Sequence, residues 1–575
     1  MKAHFYFYGK QAIALGNSGA CNDISELSRS KLFSTIVEMF IHDLENRNSL
    51  LLDIFPKNIP ASERGRRLVE LFGILSVQPK KDAIKTVPSF KGFFRDYRLL
   101  HQFVENLYNY WRQYERFYIF DCDEEHKLCY KFTSETLANV NHLARKFYRD
   151  ICEHITGDRP IIYRQVPSAF QVGVVVHHQD LPLPKQYEHF NEVPTVRHVL
   201  INPPLILDPP MNTRSGQFTE VKKNPLDHVR LKKEEWLCYP TRVGELVIYV
   251  YVHNRFIGLG TAIGNLFDLA SGEDFSRKPD AIYVYGLDES HFGEEKTIFF
   301  QDKDMLIGAI PGNDNYGYFG YVKKMMLTLH NIIMMKRNRM PIHGAMVRIS
   351  LKSGKSANVI LVGDSGAGKS ESLEAFRILA KDYLRDMTVI FDDMGSIGEA
   401  QKEILGYGTE TGAFVRLDDL QPGFAFGNID RSIIMSPQKI NARAALPITT
   451  LYDITKGYPV DFFLYANNYE EVDDEHPFFE SFSDVDEAFS VSKHGARMAK
   501  GTTSEKGLVS TYFANPFGPI QFKDMHEKIA RAYFESLFKK KVVVGQLRTR
   551  LGIRGYEMKG PQEAAKALFE VIMKR

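Results

Sequence analysis

A chain of 575 residues exceeds one ordinary hydrophobic core and, at roughly 150 residues per domain, implies about two to four domains or subdomains. Its composition, 44% hydrophobic, 25% charged and 12% aromatic, is that of a globular chain and excludes collagen-like, coiled-coil and disordered architectures. With 73 Lys and Arg against 71 Asp and Glu, the formal net charge of +2 provides no global field to recruit nucleic acid or an acidic membrane, and neither is expected as a partner.

Residues 1–10 show neither an apolar core of signal-peptide length nor a small-residue cleavage site, and the five cysteines have no repeating spacing. A reducing, cytoplasmic location is expected. The most apolar stretch, 245–270, is broken by His253, Asn254 and Arg255 and falls short of a membrane span.

In chain order, 1–155 reads as a helix-rich region, with apolar residues at three-and-four spacing over 31–44 and 93–117. Cys122, His126 and Cys129 lie within it but lack the paired second half that a zinc site needs. Residues 156–335 read as a mixed α/β region, with β-rich runs at 172–177, 246–252 and 281–285 separated by proline turns at 202–204 and 208–210. Residues 336–575 form a third segment, in which a hydrophobic strand, a glycine loop and a helix follow in immediate succession. The expected fold class is α/β.

That succession carries the strongest signal. A strand at 359–362 leads into Gly363, Asp364, Ser365, Gly366, Ala367, Gly368, Lys369 and Ser370, and a helix is expected over 371–382. The run fits the phosphate-loop template of Gly, four residues and Gly-Lys-Ser. Glycines let backbone N–H groups converge on phosphate oxygens, and the helix N-terminus adds partial positive charge. Lys369 would neutralise the β- and γ-phosphates, and the Ser370 hydroxyl would ligate a divalent metal. About twenty residues on, a strand expected over 387–391 ends in Asp392 and Asp393, a carboxylate pair suited to a phosphate-bound metal.

The flanking segments resemble the phosphoenolpyruvate carboxykinase family, particularly its ATP-using branch. Tyr318-Phe319-Gly320-Tyr321-Val322-Lys323-Lys324 is similar to the family's Tyr-x-Gly-x-x-Lys-Lys, and Pro341-Ile342-His343-Gly344 places a histidine just before the loop strand. Downstream, Glu410 to Arg416 matches Glu-Gly-Gly-Cys-Tyr-Ala-Lys in register, and Asn441-Ala442-Arg443 through Ile448 is similar to Asn-Thr-Arg-x-x-Tyr-Pro-Ile. The stretch from Ala496 to Phe517 is similar to the family's lid and following strand, and Arg550-Leu551-Gly552-Ile553-Arg554 is loosely similar to its adenine pocket.

The resemblance covers about 310–575 and implies a two-lobed architecture with a mixed-sheet, nucleotide-binding C-terminal domain and a divergent, helix-rich N-terminal region. It implies ATP as co-substrate, Mn²⁺ and Mg²⁺ as cations, and oxaloacetate and phosphoenolpyruvate as the substrate pair. Lys324 and His343 would then hold manganese with Asp393, and Ser370 would hold nucleotide-bound magnesium. Tyr318 would line the oxaloacetate site, Arg443 would bridge substrate and γ-phosphate, and Arg416, Arg550 and Leu551 would lie at the nucleotide. A lysine binds metal only as the neutral amine, so Lys324 needs a depressed pKa, and the mixed N and O donor set favours manganese over magnesium.

Some features depart from the family. The loop's Gly-Asp-Ser-Gly-Ala-Gly-Lys-Ser-Glu is closer to HPr kinase, a relative with the same core, and the N-terminal Arg-Ser-Pro-Lys-Asp-Lys segment has no clear counterpart; Arg214 is the nearest candidate for its carboxylate-binding arginine. Two alternatives follow. One is a kinase of a small-molecule or protein hydroxyl with Asp392 as general base. The other is a degenerate ATP-binding regulatory protein. Nine carboxylates over 470–487 are expected to form a solvated acidic loop beside the lid.

Overall fold

The computed structural model describes residues 4–16, 21–122, 129–364, 366–400, 402–417, 427–499 and 507–575. Ser365, His126, the side chain of Cys129 and lid residues 500–506 lie outside them. The protein is α/β with mixed sheets, and no described helix is long and apolar enough to cross a membrane. Its contacts divide the chain into two units, one of Met1–Gln179 with Pro194–Leu205 and the other of Asp180–Val193 with Ile206–Arg575.

This division differs from the three segments read from sequence, for identifiable reasons. The strand Val172–His177 pairs in parallel with Glu115–Asp121, which draws the chain beyond residue 155 into the first unit. The expected boundary at 335/336 falls at the end of the helix Phe319–Lys336, which packs on the strands Met305–Pro311 and Met340–Leu351 on either side of it in sequence. A helix that is apolar nearly all round must be covered on every face.

The first unit is less purely helical than its periodicity suggests. His4–Tyr8, Gln11–Gly16, Glu115–Asp121, Val172–His177 and Thr195–Ile201 form a mixed sheet, with parallel pairs in its middle and antiparallel pairs at both ends. The helical reading of 93–117 therefore holds only for Tyr97–Arg112; the chain turns into a strand at Glu115. Helix starts follow capping chemistry: Ser30 accepts from the Phe33 N–H to open Lys31–Asn46, and Asp96 accepts from Arg98 and Leu99 to open Tyr97–Arg112. These helices bury Ile36, Val37, Phe40, Ile41 and Leu44, and Leu100, Phe103, Val104 and Leu107. Both are single apolar stripes.

In the second unit, Trp236–Val243 and Leu246–His253 form an antiparallel hairpin, and Ala281–Leu287 and Met305–Pro311 continue the sheet in parallel. A second sheet takes the order Glu403–Gly408, Leu384–Ala400, Met340–Leu351, Ser356–Val362, Phe462–Asn467, Val543–Arg548. The helix Lys369–Ile378 covers it beside Lys559–Lys574, with the Phe376 and Phe569 rings 5.4 Å apart. Two expectations change here. The helix read over 371–382 breaks into Lys369–Ile378 and Ala380–Tyr383. The strand read over 387–391 does not stop at the aspartates: Leu384–Ala400 runs through them, because it is paired on both sides, with Met340–Leu351 and Glu403–Gly408.

Candidate active site

The site begins at the turn between Ser356–Val362 and Lys369–Ile378. Gly366 and Gly368 have φ of 81° and 106°, the left-handed region that glycine enters without strain, and Gly368 caps the helix. A Cβ on Gly368 would sit 2.8 Å from Thr549 Oγ1, so the turn is closed by a side chain from the segment after Val543–Arg548. Asn468 Nδ2 donates to the Gly366 carbonyl at 3.0 Å and to the Met498 carbonyl at 3.0 Å, linking loop and lid strand. Asp364 accepts from Thr511 Oγ1 at 3.0 Å and pairs with Arg497 at 3.3 Å. Lys369 folds back over the turn, its Nζ donating to the Gly363 and Asp364 carbonyls at 2.6 and 3.1 Å. Burial lowers its pKa, while Asp393 and Asp364 oppose the shift.

The aspartates come from a distorted strand. Its register with Met340–Leu351 slips by one residue at Ile390, and Asp393 lies opposite Gly344 at φ 121°, a left-handed value costly for any residue with a Cβ. Asp392 accepts from Ser370 Oγ at 3.0 and 3.2 Å, and burial followed by the Asp393 charge raises its pKa. Asp393 accepts from Lys323 Nζ at 2.5 Å and lies 2.9 Å from His343 Nε2. Burial works against its ionisation, but Lys323, His343 and Lys369 together hold its pKa well below the usual range. On its other side His343 Nδ1 meets the Ala514 carbonyl at 2.5 Å.

Two adjacent lysines on the helix Phe319–Lys336 behave oppositely. Lys323 is buried between Asp393 and Glu410, the latter 3.3 Å away, and these carboxylates overcome desolvation to raise it to about 12. Glu410 is fully buried and is pushed up to about 8 by desolvation, which Lys323 only partly offsets. Lys324 instead lies 4.8 Å from the Phe517 ring centre and is pulled down to about 8, chiefly by burial and then by Arg214, with Arg443 and Lys323 adding. Among the described residues, none of Lys324, Arg214 and Arg443 pairs with a carboxylate.

Arg214 stacks 4.8 Å over Phe218, donates to the Gly216 carbonyl and feels the Tyr321 and Tyr318 hydroxyls; burial lowers its pKa. Arg443 donates to Asn441 Oδ1 at 3.2 Å and to the Phe414 carbonyl at 3.3 Å. Arg416 lies opposite it across the Gly412–Arg416 and Arg443–Pro447 pairing.

A slot of about 80 Å³ runs beside the helix from Ser370 and Asp392 along Val389, Ala413, Val415 and Ile448. Arg416, Arg550 and Leu551 do not line it. Arg550 stacks 3.3 Å over Tyr556 and pairs with Glu471 at 2.7 Å, and Leu551 is buried. The acidic stretch is also less solvated than expected, because buried Arg548 joins Glu470 and Glu480 at 2.8 and 2.7 Å.

Geometry therefore gathers His343, Lys369, Ser370, Asp392 and Asp393 around one turn and sets Tyr318, Lys324, Arg214 and Arg443 close by. Sequence reasoning missed Lys323 and Glu410 as a buried pair, and Thr511, Asn468 and Thr549 as the loop's supports. Glu410 carried one usable signal: a carboxylate in the short connection between the strands Glu403–Gly408 and Gly412–Arg416 needs a partner where that connection is buried. No protein-family model matches the chain, and no curated protein matches it in sequence.

Proposed function

We propose that the protein catalyses metal-dependent phosphoryl transfer from ATP, most specifically oxaloacetate + ATP to phosphoenolpyruvate + ADP + CO₂, on a two-lobed carboxykinase-like architecture. One observation carries the reading. Lys324, Arg214 and Arg443 converge without a paired carboxylate, while the neighbouring Lys323 pairs with Asp393 and Glu410, and His343 with Asp393. Cations that are buried and repel one another in this way call for an anion of more than one charge, as a dicarboxylate or an enol phosphate is.

The donor set suits a divalent ion of mixed preference. Lys324 is pulled down to about 8, from where a bound cation would release its proton, Asp393 stays ionised, and His343 sits between the Ala514 carbonyl at Nδ1 and Asp393 at Nε2. Lys324, His343 and Asp393 would hold Mn²⁺, with Mg²⁺ at Ser370, and the cations would polarise the enolate oxygen and neutralise phosphate charge. Lys369 would exchange its two loop carbonyls for phosphate oxygens, Arg443 would orient the γ-phosphoryl group toward the substrate, and Arg214 would hold a substrate carboxylate beside Tyr318. Arg497 and Thr511 tie the lid strand to Asp364 and would keep water from the transferring group.

A kinase acting on a hydroxyl is the second reading. It is favoured by Asp392, whose raised pKa brings it closer to what a general base needs at neutral pH. One assay separates the two: purified protein with oxaloacetate, ATP, Mn²⁺ and Mg²⁺, read for phosphoenolpyruvate, beside Arg443→Ala. Product expected from the parent should fall about a hundredfold or more in the variant. ATP binding without product would overturn the carboxykinase reading and direct the search to hydroxyl acceptors.

A further inference from the structure

The first unit contains a cavity of about 560 Å³, several times the slot beside Ser370. Well-packed interiors have few voids larger than a water molecule, whereas ligand pockets fall at roughly 300–1,000 Å³. Its walls are apolar, formed by Phe33, Ile36, Phe72, Leu107, Phe147 and Ile151 from the helices, with Ala14 and Tyr118 from the sheet.

The polar groups in this wall are mostly committed. Tyr108 meets Ser168 Oγ at 3.0 Å, Trp111 Nε1 donates to the Ser168 carbonyl at 2.8 Å, and Tyr148 donates to Glu105 at 2.5 Å. Tyr118 differs: its side chain is 1% exposed and its hydroxyl has no hydrogen-bond partner among the described residues. That hydroxyl is itself inaccessible and lies over Gly16 of the neighbouring strand, so a ligand in the cavity does not reach it. Three exposed charged residues also line the cavity: Glu26, Arg29 and Lys31. Glu26 already accepts from the Asn22 backbone at 2.8 Å, whereas Arg29 and Lys31 form no ion pair among the described residues. The Cys21 thiol adds no charge, since burial, then Glu26 and Asp23, push it up to about 11.

We propose that this cavity binds an amphipathic organic anion: an apolar body enclosed by the aromatic wall and an acid group neutralised by Arg29 and Lys31. The site lies wholly within the first unit and does not depend on the phosphoryl-transfer reading.

Decanoate titrated into the full-length protein by calorimetry tests this, with decanol as the uncharged control. Arg29→Glu with Lys31→Glu changes exposed residues and leaves the packing alone. Saturable binding of one decanoate per chain is expected, about tenfold weaker for decanol and for the charge-reversed variant. An unchanged unfolding midpoint would show that the variant remains folded. Absence of saturable binding, decanol binding equal to decanoate, or unchanged decanoate affinity in the variant overturns the proposal.

Discussion

The two units bury their polar groups on opposite principles. Around Asp393 the second unit packs Lys323, His343, Lys369, Asp392 and Glu410 into one buried cluster, in which Lys323 pairs with Asp393 and Glu410, and His343 with Asp393. Around Tyr118 the first unit leaves a large space walled by rings and aliphatic chains, with its charges at exposed positions. In each region the informative groups are cations without a paired carboxylate among the described residues: Lys324, Arg214 and Arg443 in one, Arg29 and Lys31 in the other. A charge network tolerates no deletion, whereas an open cavity tolerates addition, and this contrast sets the order of expected effects.

The largest effect is expected at Lys323. Lys323→Met keeps the volume but strands Asp393 and Glu410 as buried carboxylates, and should cost about 3–5 kcal/mol in denaturant unfolding. Replacing Glu410 with Gln in the same chain should recover part of the loss. A cost under about 1 kcal/mol would show that the network is solvated and would break the comparison.

Next is the pH response of Lys324. Its folded pKa of about 8 lies below the ordinary lysine value of 10.5, so between those values the unfolded chain binds more protons and stability rises with pH. The gain should reach up to about 3 kcal/mol across that window and vanish in Lys324→Met. A parent and variant with parallel stability curves from pH 8 to 10.5 would show that Lys324 is not desolvated.

How much of this was legible follows from what each signal encodes. The strand, glycine turn and helix around Gly363 to Ser370 were readable because glycine spacing and apolar runs are local properties. The run from Leu384 to Ala400 was cut short in the reading because its continuation depends on pairing with distant strands, and the left-handed Asp393 depends on a one-residue slip against Met346 and Val347. Lys323 and Lys324 are indistinguishable in sequence; only the helix's orientation gives one two carboxylates and the other two arginines. Of the first unit's strands, Val172–His177 was readable as a β-rich run, whereas Glu115–Asp121 was hidden in a helical periodicity, and no local pattern reports a cavity formed by helices and sheet together.

Adding volume should separate the units further. Ala144→Leu extends into the 560 Å³ cavity and is expected to be neutral within about 0.5 kcal/mol. Ala345→Leu, at a fully buried position between paired strands, should cost about 1–3 kcal/mol. Equal costs in chemical denaturation would mean that the first unit's cavity is filled.

The smallest effect compares one substitution in both units. Gly368→Ala meets Thr549 and must hold φ 106°, so it is expected to cost about 1–2 kcal/mol, and relief of the contact by Thr549→Ala, which removes Oγ1, would leave the backbone part in place. At Gly16 the new Cβ would lie only 2.3 Å from the Tyr118 hydroxyl, a tighter contact on paper, yet the backbone there is not left-handed and the Tyr118 ring borders open space into which it can swing. Gly16→Ala should therefore cost less than Gly368→Ala, under about 1 kcal/mol. A larger cost at Gly16 would show that Tyr118 is fixed, and the cavity would then be a rigid site rather than one whose wall adjusts to its ligand.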